Sequence, residues 1–263
     1  MKSSTELEDF FKGKKIFLTG HTGFKGSWLS LILHRFGAKI QGYSIDIPTI
    51  PSHFDIAGIE NTINHVKGDI NNLNHLSSEI ENFDPDIIIH MAAQSLVSEG
   101  YDEPVETFRT NVIGTVNVLE SCRKLAGPKT VLIVTSDKCY ENNEEKKYFV
   151  EENRLGGLDP YSNSKACAEL VTHSYRNSFK EDFKKIKIST VRAGNVIGGG
   201  DWSKNRIIPD CIKSFLNKEF ISIRSPNSVR PWQHVLDPLF GYLSLIKQMH
   251  SSKDSFSSSW NFG

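Results

Sequence analysis

Paired cysteines, an excess of charge of either sign and long apolar runs are all missing from this sequence. The four cysteines, Cys122, Cys139, Cys167 and Cys211, lie far apart and form no Cys-x-x-Cys pair. Neither a zinc site nor a disulfide framework is suggested, and a reduced, cytoplasmic setting is expected. The nine histidines never fall at His-x-x-x-His spacing, so no metal site is expected. Lys plus Arg equals Asp plus Glu at 31 each, which argues against a surface built to coat nucleic acid. Met1 to Phe11 is charged and lacks a hydrophobic signal core, and no apolar stretch approaches the ~18 residues of a membrane span. Internal repeats and low-complexity tracts are absent too. What is present is a chain of 263 residues with enough apolar content for one large domain or a domain and a half.

From Lys14 to about Arg192, short β-rich runs alternate with helical stretches, the pattern of a parallel sheet covered on both faces. Strands are expected over Lys15–Thr19, Lys39–Tyr43, Thr62–Lys67, Ile87–His90, Val131–Thr135 and Lys187–Val191. Helices are expected over Gly23–Phe36, Leu73–Asn82, Val105–Leu125 and Tyr161–Phe179. Right-handed crossovers wind such units into a doubly wound α/β fold of the Rossmann type. Past Asn195 the alternation weakens, and Gly198-Gly199-Gly200 followed by Asp201-Trp202 reads as a loop into a second unit. The expected division is a dinucleotide-binding domain over residues 1–195 and a smaller substrate lobe over 196–263. The Ser-rich stretch from Ser251 to Ser259 reads as a surface loop, and Trp260-Asn261-Phe262-Gly263 as an unfinished strand.

Gly20-His21-Thr22-Gly23-Phe24-Lys25-Gly26 lies just after the first strand and opens the first long helix. Glycines there permit a tight turn and let backbone approach a pyrophosphate, while the helix start offers unpaired N–H groups. Asp46 follows the second strand, 20 residues after Gly26, the spacing at which a carboxylate reaches a ribose hydroxyl pair. A carboxylate in that place repels a 2′-phosphate, so NAD is expected over NADP. Asp69, in Gly68-Asp69-Ile70, is read either as an adenine contact or as an ordinary turn aspartate.

Tyr161 and Lys165 stand four residues apart in a helical stretch, which puts both side chains on one face. A phenol ordinarily titrates near 10. An ammonium about 4 Å away at an effective dielectric near 20 is worth on the order of 4 kcal/mol, enough to bring the phenol down by up to ~3 pH units. The expectation is a tyrosine that serves as a proton acceptor near neutrality. Ser136-Asp137-Lys138 should emerge at the carboxyl end of a central strand, where ligands bind in such sheets; taken alone, the run is either a site or the start of a loop.

The glycine loop, His90-Met91-Ala92-Ala93-Gln94, Asn111 and the Tyr161/Lys165 pair together resemble the extended short-chain dehydrogenase/reductases that act on nucleotide sugars. Longer stretches narrow the likeness: Gly20 to Trp28, Thr135 to Asn142, Arg192 to Trp202 and Arg230 to Val235 are similar to those of the 4,6-dehydratases of that family, in particular the kind that takes CDP-glucose. These stretches span almost the whole chain. Family members continue for about another hundred residues, so the resemblance implies a shortened substrate lobe.

The resemblance also implies roles. Gly20, Thr22, Gly23, Phe24, Gly26, Asp46, Asp69, Ile70, Ala92, Ala93, Gln94 and Asn111 would hold NAD, together with Tyr161 and Lys165. Tyr161 would take the proton of a sugar 4-hydroxyl while Ser136 holds the same oxygen, and Asp137 and Lys138 would remove water across C5 and C6. Burial is then needed to keep Asp137 protonated, while attraction between Asp137 and Lys138 favours both ions; Lys138 is either the base or a cation that stabilises an enolate. Asn195, Arg206, Arg230 and His234 would contact the substrate, the arginines as forks on a diphosphate. An apolar stripe of Val112, Val116, Leu119, Cys167, Leu170 and Val171 reads either as a homodimer face or as packing against the sheet. Two other functions share much of this pattern: a nucleotide-sugar 4-epimerase, which has no use for Asp137-Lys138, and a non-catalytic NAD-binding protein, which has no use for a tuned phenol.

Overall fold

The computed structural model describes residues 2–127, 129–142, 148–223, 226–251 and 256–263. Its regular elements, in chain order, begin with helix α1 (Lys2–Phe11), strand β1 (Lys15–Thr19), α2 (Phe24–Arg35), β2 (Lys39–Ser44), α3 (His53–Ile56) and β3 (Asn64–Lys67). They continue with α4 (Leu73–Phe83), β4 (Ile87–His90), α5 (Val97–Asp102), α6 (Pro104–Phe108), α7 (Gly114–Arg123), β5 (Lys129–Val134), α8 (Pro160–Ser178) and β6 (Ile186–Ala193). The remainder are β7 (Asn195–Ile197), α9 (Ile207–Asn217), β8 (Trp232–His234), α10 (Leu236–Ser251) and β9 (Ser259–Phe262).

Among the described residues the main sheet runs β3-β2-β1-β4-β5-β6-β9, every neighbouring pair parallel. Parallel strands buried on both faces read as continuous apolar runs, and Ile87-Ile88-Ile89-His90 is buried at every position for that reason. Two cores result. One gathers Leu18, Leu29, Leu33, Ile89, Leu132 and Val191 with Leu239, Leu243 and Ile246 of α10; the other gathers Phe17, Tyr43, Ile88, Val131 and Ile133 with α4 and α7. The strand order reverses between β1 and β4, so a crevice opens at their carboxyl ends, the place where such sheets bind ligands.

Several expected boundaries shift. Strand β5 begins earlier than its apolar run, because Lys129 buries its stem and ties Nζ to Asp84 Oδ1 at 2.5 Å. Helix α1 had no expected counterpart; it seats Leu7 and Phe11 in the first core. The single helix expected over Val105–Leu125 is instead α6, a π-helical turn over Arg109–Ile113 and α7. Thr115 Oγ1 donates back to the Asn111 carbonyl at 2.7 Å within that wider turn.

The expected lobe over 196–263 divides in two. Helix α10 packs on the first core and β9 joins the main sheet beside β6, with Thr190 in register with Ser259 and Ala193 with Phe262. Only the β7–β8 ribbon and α9 stand apart, between residues 195 and 234. Residues 252–255 of the Ser-rich stretch lie outside the described residues. No helix among the described residues is long and apolar enough to cross a membrane.

Candidate active site

The glycine loop turns sharply out of β1. Gly20 adopts φ +74°, and a Cβ there would lie 2.6 Å from the Ala92 nitrogen; one on Gly26 would lie 2.1 Å from the Gly20 carbonyl oxygen. Gly23 differs. Only the Gly20 oxygen, at 3.4 Å, comes within 4 Å of its missing Cβ, and as the N-cap of α2 it supplies no side-chain acceptor for the first N–H groups. An open cradle in front of uncapped helix N–H groups suits an anion.

On one side of this loop Thr22 Oγ1 donates to the Asp46 carbonyl at 2.7 Å, fixing the chain that leaves β2. The Asp46 carboxylate is 76% exposed, with Oδ1 accepting the Ile47 N–H at 2.9 Å and lying 3.9 Å from Lys67. Asp69 receives the Asn71 N–H on its carboxylate at 2.8 Å, and Ile70 is buried against α7. On the other side Thr19 Oγ1 accepts the Met91 and Ala92 N–H groups, each at 3.1 Å, and pins the segment after β4. Asn111 then binds both backbone groups of Gln94 and donates to Ser164 Oγ at 2.8 Å, whose hydroxyl reaches the Tyr161 carbonyl at 2.7 Å. Asn111 thus ties the segment after β4 to α8.

Asp159 caps α8 through the Ser162 N–H at 2.9 Å, with Pro160 in the first turn. Tyr161 and Lys165 are both buried. Burial pushes the Tyr161 phenol up to about 12, with the Ser136 hydroxyl pulling it down and the Asp137 carboxylate pushing it up. The phenol lowered by its ammonium neighbour, expected from spacing, is therefore corrected for the protein by itself. Lys165 instead donates to the Val134 carbonyl at 3.3 Å, and its burial brings it down to about 8, offset by Glu169 and Cys139.

Ser136 caps the short 3₁₀ turn Asp137–Cys139, donating to Asp137 Oδ1 at 3.1 Å. Lys138 Nζ lies 3.6 Å from the same oxygen, and the two side chains are 34% and 29% exposed, so the burial expected for Asp137 is only partial. Arg206 reaches this centre from the start of α9: paired with Asp201 at 2.9 Å, it bears electrostatically on Tyr161 and on Lys25. Asn195 lies close to the sheet's end with a buried Oδ1 that has no partner among the described residues. Arg230 and His234 do not converge with these groups. Arg230 is exposed and donates to the Val229 carbonyl two residues before β8, and exposed His234, which ends β8, donates its backbone N–H to Asp237 at the head of α10.

Sequence reasoning missed two groups. Lys25, inside the glycine loop, is half-buried and donates to Tyr242 Oη at 2.9 Å; burial and the nearby Lys165 charge lower it to about 7. Its signal was a lone charge among glycines. Glu169, one turn after Lys165, carries a buried ion pair with Arg192 at 2.8 Å; its signal was the next four-residue step along the helix.

The profile of the NAD dependent epimerase/dehydratase family matches residues 16–259. The chain belongs to that family. Its cofactor is NAD, and the open Gly23 cradle, the uncapped start of α2 and the exposed Asp46 carboxylate fit that group. Within the family, the chain is 48% identical to the CDP-glucose 4,6-dehydratase of Salmonella typhimurium, over 97% of this chain and 72% of that protein. A solved structure of an epimerase from Methanothermobacter thermautotrophicus superposes with a TM-score of 0.82 over 99% of this chain and 74% of its own, at 24% identity. The dTDP-glucose 4,6-dehydratase of Streptomyces venezuelae, solved with NAD bound, gives 0.81 over 95% and 75%, at 22% identity. Both likenesses establish the fold.

Proposed function

We propose that this chain is a nucleotide-sugar 4,6-dehydratase that converts CDP-glucose to its 4-keto-6-deoxy product. The observation that carries the reading is the Asp137/Lys138 pair, 3.6 Å apart beside Ser136 and the buried Tyr161. A 4-epimerase needs only the tyrosine and its lysine. An acid-base pair one and two residues past Ser136 is what loss of water requires. The 48% identity to a CDP-glucose 4,6-dehydratase supports the choice of base.

Bound in the crevice, NAD supplies a reversible hydride acceptor, so the overall conversion needs no net oxidant. Tyr161 takes the proton of the 4-hydroxyl, and Ser136 holds that oxygen as it becomes a carbonyl. The Ser136 hydroxyl and the Arg206 charge both favour the phenolate against burial, which opposes it. The carbonyl acidifies the C5 proton; Lys138 accepts that proton as Asp137 protonates the departing 6-hydroxyl, and hydride returned to C6 with a proton restored at C5 completes the product. Asn195 and Arg206 hold the substrate on the open side. A reduced, cytoplasmic compartment suits the four free thiols.

The exposed apolar side chains on α5 to α8, Tyr101, Val105, Ile113 and the 56% exposed Leu170, support a homodimer through this face. Leu119, counted in that stripe from sequence, is fully buried in the second core and takes no part. Light scattering at micromolar concentration tests this: a strict monomer removes it.

The function is tested by incubating the protein with NAD and CDP-glucose, UDP-glucose or dTDP-glucose and reading the alkali-induced absorbance of a 4-keto sugar. CDP-glucose should react, and best of the three. In a single turnover Tyr161→Phe should abolish reduction of the cofactor, by at least ~100-fold, whereas Asp137→Asn should allow reduction and block dehydration. Equal loss of cofactor reduction in both variants would sink the division of roles.

A further inference from the structure

Glu169 is 2% exposed, yet four groups converge on its carboxylate: the Thr135 hydroxyl on one oxygen, and on the other Thr190 Oγ1 at 2.7 Å, Arg192 Nη2 at 2.8 Å and Ser259 Oγ at 3.2 Å. They come from the end of β5, from β6 and from β9. Arg192 is as buried, and its other nitrogen, Nη1, donates to Tyr140 Oη at 2.6 Å and to the Glu151 carbonyl at 3.0 Å. Tyr140 Oη in turn donates to Asn261 Oδ1 at 2.7 Å. Tyr140 is the residue that ends the Asp137–Cys139 turn. A single network therefore joins the helix of Tyr161 and Lys165 to the turn of Asp137 and Lys138.

A buried ion pair contributes little net stability, because desolvating both ions offsets their attraction. Its placement explains it better. Glu169 follows Lys165 by one helical turn, and between them Lys165 holds the Val134 carbonyl while Glu169 holds the Thr135 hydroxyl, the two residues that lead into Ser136. Burial raises Glu169, but Arg192 and the two threonines overcome it and hold the carboxyl below the usual carboxylate range. The charge that results opposes the burial of Lys165.

We infer that Glu169 and Arg192 are positioning residues of the reaction: the carboxylate keeps Lys165 an ammonium, and through Arg192 and Tyr140 it fixes the Asp137/Lys138 turn against α8. Ser259 and Asn261 of β9 complete the arrangement, so the last strand of the sheet is part of the catalytic frame. The other titratable groups in electrostatic reach of Lys165 are Lys25 on α2, His90 on β4 and Cys139 in the 3₁₀ turn. Burial keeps His90 neutral and Cys139 a thiol, and Lys25 is a like charge that works against the ammonium. Glu169 is thus the anion that sustains it.

The inference rests on Tyr161 and Lys165 being the proton-handling pair, and the experiment separates the two. Nitrogen NMR of Lys165 Nζ in the ligand-free protein reads its titration without any turnover. Glu169→Gln keeps an acceptor for the hydroxyls and removes the charge, so the Lys165 midpoint should fall by about one pH unit, a tenfold loss of ammonium above it. The alkaline limb of kcat should move down with it, while KM for CDP-glucose changes by less than about threefold. Tyr140→Phe cuts only the arm to the turn: kcat should fall about tenfold with the limb in place. If Glu169→Gln does not fold, Tyr140→Phe still decides, and unchanged kcat overturns the inference. A Lys165 midpoint unmoved in a folded Glu169→Gln overturns it as well. Wild-type protein inert toward CDP-glucose, with the midpoint shifted as expected, would instead remove the dehydratase reading alone.

Discussion

The sheet with its covering helices and the segment between residues 195 and 234 are made of similar residues but treat them differently. In the sheet, β1, β4 and β5 bury essentially every side chain, including Thr19, His90 and Lys129, and each of these polar groups has a partner. In the later segment α9 is strongly amphipathic, yet Phe215 and Leu216 are 69% and 71% exposed, with Ile207, Ile208 and Ile212 beside them. The first region specifies itself through packing on two faces. The second shows an apolar side with nothing over it among the described residues, and what it offers is two polar groups proposed above to face the substrate, Asn195 and Arg206, rather than a core of its own.

The largest effect that would break this comparison is stability lost from the sheet. Leu18→Ala, in fully buried β1, should cost about 2–5 kcal/mol in urea unfolding. Acid should come next. His21 and His90 are both lowered to about 3, chiefly by burial, so the folded protein binds these protons less readily than the unfolded chain. Their contribution is complete above about pH 6.5 and is lost as pH falls toward 3, at about 1.4 kcal/mol per pH unit for each histidine. Unfolding free energies at pH 7.5 and 5.5 should show that slope, and it should flatten in His90→Asn. Gly26→Ala forces a methyl onto the Gly20 carbonyl and should cost about 1–3 kcal/mol together with NAD affinity by calorimetry. Gly199→Ala, with nothing within 4 Å, and Phe215→Ser should each stay within about 0.5 kcal/mol. A loss from Phe215→Ser as large as that from Leu18→Ala would erase the distinction between the regions.

The same division explains what was legible in the sequence. Strands β1 and β4 match their expected spans residue for residue, since a run such as Ile87-Ile88-Ile89 fits a doubly covered strand and little else. The tight turn at Gly20 and Gly26, the place of Ser136 just past β5 and the shared helix of Tyr161 and Lys165 were legible, because turn geometry and strand and helix spacing fix them. The direction of the Tyr161 shift was not. Spacing reports which face a side chain shares, but not how much water is removed from it, and burial here outweighs the Ser136 hydroxyl and the Arg206 charge. The path of the chain after Asn195 was illegible for a related reason: the pairing of β9 with β6 joins residues about seventy positions apart, and no local periodicity encodes it. The placement of Arg230 and His234 was equally illegible, for a motif fixes residue types and leaves the course of an exposed segment open.

That distant pairing has a consequence for biosynthesis. As the polypeptide leaves the ribosome, β1 to β6 emerge well ahead of β9, and β6 meanwhile offers an unpaired edge next to a charged Arg192 and Glu169 with no Ser259 or Asn261 to meet them. Until β9 docks, Glu169 lacks its Ser259 contact and Tyr140 its Asn261 partner, so the frame behind the site closes only when the sheet does.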